Sequence, residues 1–483
     1  MAVRAGRIGL LVAVVAVGAV GLTGCDNVTS LARPSTPVVL TGNDVPKLKG
    51  VPPDRVVAFK HEIIGNVGTW TQVPVQVDER KVVAYGSQPA NNATAGVEGS
   101  VYGNGSGGPT RLQYADPNTF VGADTNPKVD ADDEIAFLSS DTGGKPRASD
   151  APEPPGVVAG TGTQVLVADP RGEGEYGYLY LFKSKPGLDP SAGQDYVDYD
   201  FVLASGDYKA TYKRADGPNP ETSTVRTDVY EAGFIDRWKE TTWKVLAPGA
   251  SGVDILDGHK NQFAIDVCGR SNDTFADAEG AFVANIDGPV RAIRSYVGAN
   301  SGPVTQRTHV FYRDREVVIT ELRVHPIPGV MDYLDLSAAA TGMTYRTSTM
   351  PTPVTVDGSA DSVPTGVAEW EAYDGPQGQV LTQQVFTSTA GPLTTSSYYR
   401  DDAATAEAQC WGDSSLYGAA GAAITSSIPN TDPRNPPFDT LTGVRTTEFG
   451  SPAEDDGDIA TDAADWAADL ATPLSLQITA YAP

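Results

Sequence analysis

Turn-forming residues interrupt this chain so often that long helices have little room: 51 glycines and 36 prolines are spread through 483 residues. Glycine weakens a helix interior and proline breaks it, whereas short extended runs tolerate both at their ends. Neither residue follows a fixed period, so collagen-like or low-complexity order is excluded. What remains between the breaks is β-branched and aromatic. Val56–Phe59, Val73–Val77, Gln164–Ala168, Tyr178–Phe182, Tyr196–Leu203, Lys209–Tyr212, Thr224–Tyr230, Ala281–Ile286, Val290–Val297, His309–Tyr312, Val317–Val324 and Gln379–Thr387 read as strands. One helix is expected, the acidic, alanine-rich Asp458–Leu470, closed by Pro473 before a last strand Leu474–Tyr481. No repeat of 20–50 residues stands out. The predicted fold class is therefore all-β, a large antiparallel β-sandwich or super-sandwich with long loops and one short C-terminal helix.

The first 25 residues define where such a fold works. Arg4 and Arg7 precede the apolar run Ile8–Val20 and then Leu22-Thr23-Gly24-Cys25, the layout of an export signal. The last four residues resemble the lipobox of bacterial lipoproteins. That resemblance implies that the leader 1–24 is removed, that Cys25 is lipidated, and that the chain is anchored to the outer face of the cytoplasmic membrane. Residues 25–50 are polar and proline-containing, suited to a flexible tether. Beyond it, 51–150 reads as an N-terminal β region with an acidic loop, and 151–483 as the large sandwich domain. The Gly/Pro/Ser/Ala-rich stretches 87–109 and 143–162 mark long loops or boundaries.

Net charge is −26, which repels nucleic acid and anionic lipid, so the membrane is expected as a partner only through the lipid anchor. With Cys25 taken by lipid, Cys268 and Cys410 remain as an even pair in an oxidising compartment, and a disulfide between them is expected. The densest acidic run is Asp124–Glu134. Asp124, Asn126, Asp130, Asp132 and Asp133 are candidate oxygen ligands for Ca2+. It is not an EF-hand, since Lys128 and Ile135 stand where ligands belong. The alternative is a solvated turn whose aspartates cap backbone amides.

Gly288–Tyr296, containing Gly-Pro-Val-Arg, followed by strands around Tyr312-Arg313-Asp314-Arg315, resembles the galactose-mutarotase-like β-sandwich of glycan-active enzymes. The resemblance covers about forty residues and implies a concave sheet face set against sugar rings. Candidate sugar-contacting residues are Trp238, Trp370, Tyr296 and Arg294, where aromatic or cationic groups adjoin polar ones. Candidate catalytic residues are His259, in a polar turn after Asp257, and His325, which ends a strand, together with Asp257, Asp332 and Asp335. His61 and His309 sit inside alternating strands and read as ordinary sheet residues. Strings that imitate motifs fail on inspection: His61-Glu62-Ile63-Ile64-Gly65 lacks the second histidine of a zinc helix, and Gly412–Leu416 lacks the strand-to-helix elbow of a serine esterase. The expected function is a surface-anchored hydrolase or lyase on an extracellular or cell-wall polysaccharide. The alternatives are a non-catalytic lipoprotein that binds glycan or another envelope component, and a metal-dependent hydrolase of another substrate.

Overall fold

The computed structural model describes residues 31, 33, 35–84, 110–172, 174–212, 219–263, 280–298, 305–323, 328–403, 415–428, 439–453 and 459–482. The leader with Cys25, the pair Cys268 and Cys410, and His325 lie outside these residues. The chain is an all-β protein of antiparallel sheets with a short C-terminal helix, as its punctuation predicts. It divides into two compact units, one made of residues 1–79, 126–195 and 468–483, the other of 80–125 and 196–467.

The first unit holds a five-stranded sheet in the order Ser475–Ala480, Thr163–Ala168, Tyr176–Lys183, Val56–Ile64, Val67–Val73. A three-stranded sheet joins Pro37–Thr41, Glu134–Leu138 and Gln76–Asp78. Thr163–Ala168 alternates buried and half-buried side chains, the pattern of a strand with one face in a core. Val165 and Val167 point into an apolar cluster with Leu40, Val56, Phe137 and Leu179.

The second unit is built on a ten-stranded sheet. Its central strands are Gly280–Ile286, Ala292–Val297, Gln306–Phe311, Arg315–Arg323, Thr440–Gly450 and Gly378–Ser388, each hydrogen-bonded to the next. Facing it are Leu256–Phe263, Val330–Leu336, Leu416–Ile424 and Thr395–Asp402. A second four-stranded sheet ends on Lys239–Val245, and the amide of Ile255 donates to the carbonyl of Trp243 at 2.9 Å, so the two run on into one layer. Side chains reach between the layers: Arg445 donates to Asp332, and Tyr373 donates to the Gly418 carbonyl at 2.6 Å. The helix Ile459–Ala471 buries Ile459, Ala463, Trp466 and Ala467, a helical stripe spaced three and four apart. Trp466 Nε1 donates to Glu448 at 2.8 Å.

Several strands depart from the sequence expectation, among them Pro37–Thr41, which lies in the stretch read as a tether and buries Val38 and Leu40. His259 lies inside the strand Leu256–Phe263 and not in a turn, and the segment after His325 forms the strand Val330–Leu336, buried along its whole length. Leu416–Ile424, rich in glycine and alanine, is likewise a strand.

Candidate functional site

Pleating puts residues two apart on the same face of a strand, and in the ten-stranded sheet this brings an unusual set of side chains inward. Arg294 is opposite His309, His309 opposite Val318, and Val318 opposite Arg445, a row across four strands. Arg307, two residues before His309, and Glu316, two before Val318, share that face. From the other layer Glu240, His259, Asn261 and Asp332 meet them. The middle of this sandwich is consequently polar, and every one of these side chains is buried.

Asp332 joins three of them. Its carboxylate faces His259 Nε2 at 2.9 Å and accepts from Asn261 Nδ2 at 2.7 Å and Arg445 Nη2 at 2.7 Å. Burial alone would raise this carboxyl, but His259, Arg445 and Arg307 outweigh burial and hold it well below the usual range. Burial lowers His259 to about 4 against the pull of Asp332, so the imidazole is neutral at pH 7. Burial raises Glu240 to about 7, with the Trp243 indole bond opposing. Burial also raises Glu316 well above the usual carboxylate range, aided by the neighbouring Glu240 charge. Glu240, His309 and Glu316 bring ligand atoms within 4.8 Å of one another and could hold a metal ion.

The sequence-derived candidates fall into distinct places. His259 and Asp332 are hydrogen-bonded to each other, whereas Asp257 and Asp335 are both paired to Lys260 Nζ, at 2.8 and 2.5 Å. Trp238, Trp370, Tyr296 and Arg294 are all interior. The Arg307 guanidinium stacks 4.8 Å from the Trp238 ring, Arg237 donates to the Tyr296 hydroxyl at 2.6 Å, and Arg294 forms a two-pronged pair with Glu221. In the acidic loop, Asn126 donates to Asp130 at 3.2 Å, the Asp132 amide to Asp130 at 3.3 Å, and the Asp130 amide to Asp133 at 2.7 Å. Asp132 is pushed up to about 6 by burial and by Asp130 beside it. Asp124 faces the Thr125 hydroxyl at 3.4 Å.

Sequence reasoning passed over His309, Glu240, Glu316, Arg307 and Arg445. The signal for them was charge at one parity of a strand, as in Arg307 and His309 of Gln306–Phe311, all six residues of which are buried.

At the surface of the second unit a recess of about 420 Å³ is lined by Asn118, Thr119, Phe201, Asp207, Tyr208, Lys209 and Asn285. That volume falls within the roughly 300–1,000 Å³ of small-ligand sites. The Phe201 and Tyr208 rings stack at 4.1 Å, and Tyr199 continues the stack 5.7 Å from Phe201. Tyr208 is fixed in place, since its hydroxyl accepts from the Leu203 amide at 2.7 Å and donates to the Phe201 carbonyl at 3.0 Å. The turn between them needs Gly206, whose φ is +111° and whose added Cβ would meet the Tyr212 hydroxyl at 2.8 Å. Asn285 accepts from Tyr199 at 2.8 Å, while its side-chain nitrogen Nδ2 meets no protein acceptor. Arg294 Cζ lies 5.6 Å from the Phe201 ring and donates to the Tyr199 hydroxyl at 3.2 Å, so the buried Arg294–Glu221 pair supports the recess from behind.

No family model matches this chain, and no curated protein matches it. Among solved structures it is similar to the Slr1438 protein from Synechocystis sp. PCC 6803 at 10% identity, over 49% of this chain and 97% of that chain. The TM-score is 0.27, too low to inform fold or function. Among the described residues no helix is long and apolar enough to cross a membrane.

Proposed function

We propose that this chain is a lipid-anchored surface protein that binds an extracellular or cell-wall glycan, with a sugar unit seated in the Phe201–Tyr208 recess. The observation that carries the reading is the composition of that recess: two stacked rings flanked by amide, carboxylate and ammonium groups. An apolar ring face covers the C–H face of a sugar while polar neighbours exchange hydrogen bonds with its hydroxyls. Binding is favoured over hydrolysis because glycoside hydrolysis ordinarily needs two carboxyl groups flanking the bond. Among the described lining residues Asp207 is the one carboxylate. Asp116, nearby, spends its oxygens on the amides of Asn118 and Asn285. The interior pair Glu240 and Glu316 is 0% exposed, so a polymer does not reach it as these residues stand.

The test is a panel of polysaccharides offered to the full chain in detergent, reading retention, reducing ends and absorbance of unsaturated products. Retention of at least one polysaccharide without product is expected. Tyr208→Ala should weaken it about tenfold, since an aromatic contact is worth about 0.5–1.5 kcal/mol beyond its area. Product release would establish the hydrolase or lyase instead. Retention unchanged in both Tyr208→Ala and Asn118→Ala would remove the recess from the account.

A further inference from the structure

The interior of the second unit places three potential metal ligands, with His259 next to them, where nothing in the proposed glycan binding uses them. Glu240, on Lys239–Val245, and His259, on Leu256–Phe263, come from one layer; His309 and Glu316, on paired strands, come from the ten-stranded sheet. Glu240 Oε1 accepts from Trp243 Nε1 at 2.7 Å, and Glu316 Oε1 faces His309 Nδ1 at 2.6 Å. Neither Glu240 Oε2 nor Glu316 Oε2 meets an N–H or hydroxyl donor, although both residues are 0% exposed, and the two carboxyls lie within hydrogen-bond reach of each other. Two such oxygens enclosed together need a proton or a cation between them. A single proton neutralises one carboxylate and leaves the other charged, whereas a divalent ion satisfies both.

The histidines decide in favour of the ion. His309 Nδ1 and His259 Nδ1 both stand 3.9 Å from Glu240 Oε2. His259 is turned that way by Asp332 on its other nitrogen, and Asp332 is itself fixed by Asn261 and Arg445. A carboxylate holding the far nitrogen of an imidazole is the arrangement that orients metal-binding histidines. An ion with bonds of about 2.0–2.2 Å in a tetrahedron separates its ligand atoms by roughly 3.4 Å. The separations of 2.6 and 3.9 Å around His309 Nδ1 bracket that value.

We propose that Glu240, Glu316 and His309 bind one divalent first-row transition ion of the zinc type, with His259 beside Glu240, closing the centre of the second unit. An imidazole nitrogen beside two carboxylates suits zinc and its neighbours and not calcium, which takes six to eight oxygens. The sealed interior makes the site structural, since a catalytic zinc needs a position open to substrate.

The test uses the full chain extracted in detergent after growth with zinc, manganese and iron salts, and dialysed against a weak chelator. Plasma mass spectrometry should find about one equivalent of one transition ion per chain, and X-ray absorption a nitrogen/oxygen shell at about 2.0–2.1 Å with imidazole scattering. Glu316→Gln combined with His309→Gln should lose that equivalent. Near-UV circular dichroism establishes that the variant is folded; if it does not fold, the wild-type metal content and absorption spectrum decide. Folded wild-type chain without transition metal, even after refolding with each ion, would overturn the site. So would a sulfur ligand in the shell, or a folded double variant that keeps its full equivalent.

Discussion

Replacing Glu371 with glutamine should make the protein more stable at alkaline pH and leave it nearly unchanged in acid. Glu371 is 7% exposed on the strand Glu371–Gly375, and the bond it accepts from the Thr382 hydroxyl is long, at 3.4 Å. Burial pushes its carboxyl from 4.5 up to about 7, with Arg445 only partly opposing. Below the unfolded value both states carry the proton. Between about 4.5 and 7 the folded state keeps a proton that the unfolded state has released, so stability falls as pH rises; above 7 both states are ionised and the loss is complete. At about 1.36 kcal/mol per pH unit, the loss sums to about 3 kcal/mol. Glutamine has nearly the same shape and nothing to ionise, so Glu371→Gln should match the wild type near pH 4.5 and exceed it by about 3 kcal/mol at pH 8. Chemical denaturation at pH 4.5, 6 and 8, followed by tryptophan fluorescence, measures this. Trp238, Trp243, Trp370 and Trp466 belong to the second unit, so most of the signal reports the part that contains Glu371. Parallel pH curves for the two proteins would show that Glu371 is ionised in the folded state and that the reasoning fails.

Arg294→Met leaves the Glu221 carboxylate buried without its cation and should cost about 3–5 kcal/mol, whereas Arg294→Met with Glu221→Leu should recover most of that. Denaturation midpoints decide, and a double variant no more stable than the single one contradicts the assignment of the loss to an uncompensated charge. If Cys25 is the acylated residue, Cys25→Ser should abolish incorporation of a fatty-acid probe, because the thiol is the nucleophile that takes the acyl chain. Label kept by the variant would refute the lipoprotein reading.

The sequence by itself determined the class of fold. Strands such as Thr163–Ala168 were legible because β-branched residues, bounding turns and one apolar face coincide there. The helix Ile459–Ala471 was legible from its alanines and the proline that follows it. The strand carrying His259 was not. Leu256–Phe263 reads Leu-Asp-Gly-His-Lys-Asn-Gln-Phe, with no apolar alternation, because its inward side chains meet a polar interior. Val330–Leu336 is buried throughout, so it also lacks a two-residue period. Reading strands from alternation assumes that the covered face is oily; where arginine, histidine and glutamate fill it, the signal disappears. Individual residues of the interior cluster were visible as charges in apolar runs, but their partners were not. Glu240, His259, His309, Glu316 and Asp332 come from five strands of two layers, and only strand order and register bring them together. The recess likewise joins Asn118, Tyr208 and Asn285 across 167 positions of chain, a proximity that folding creates and composition does not encode.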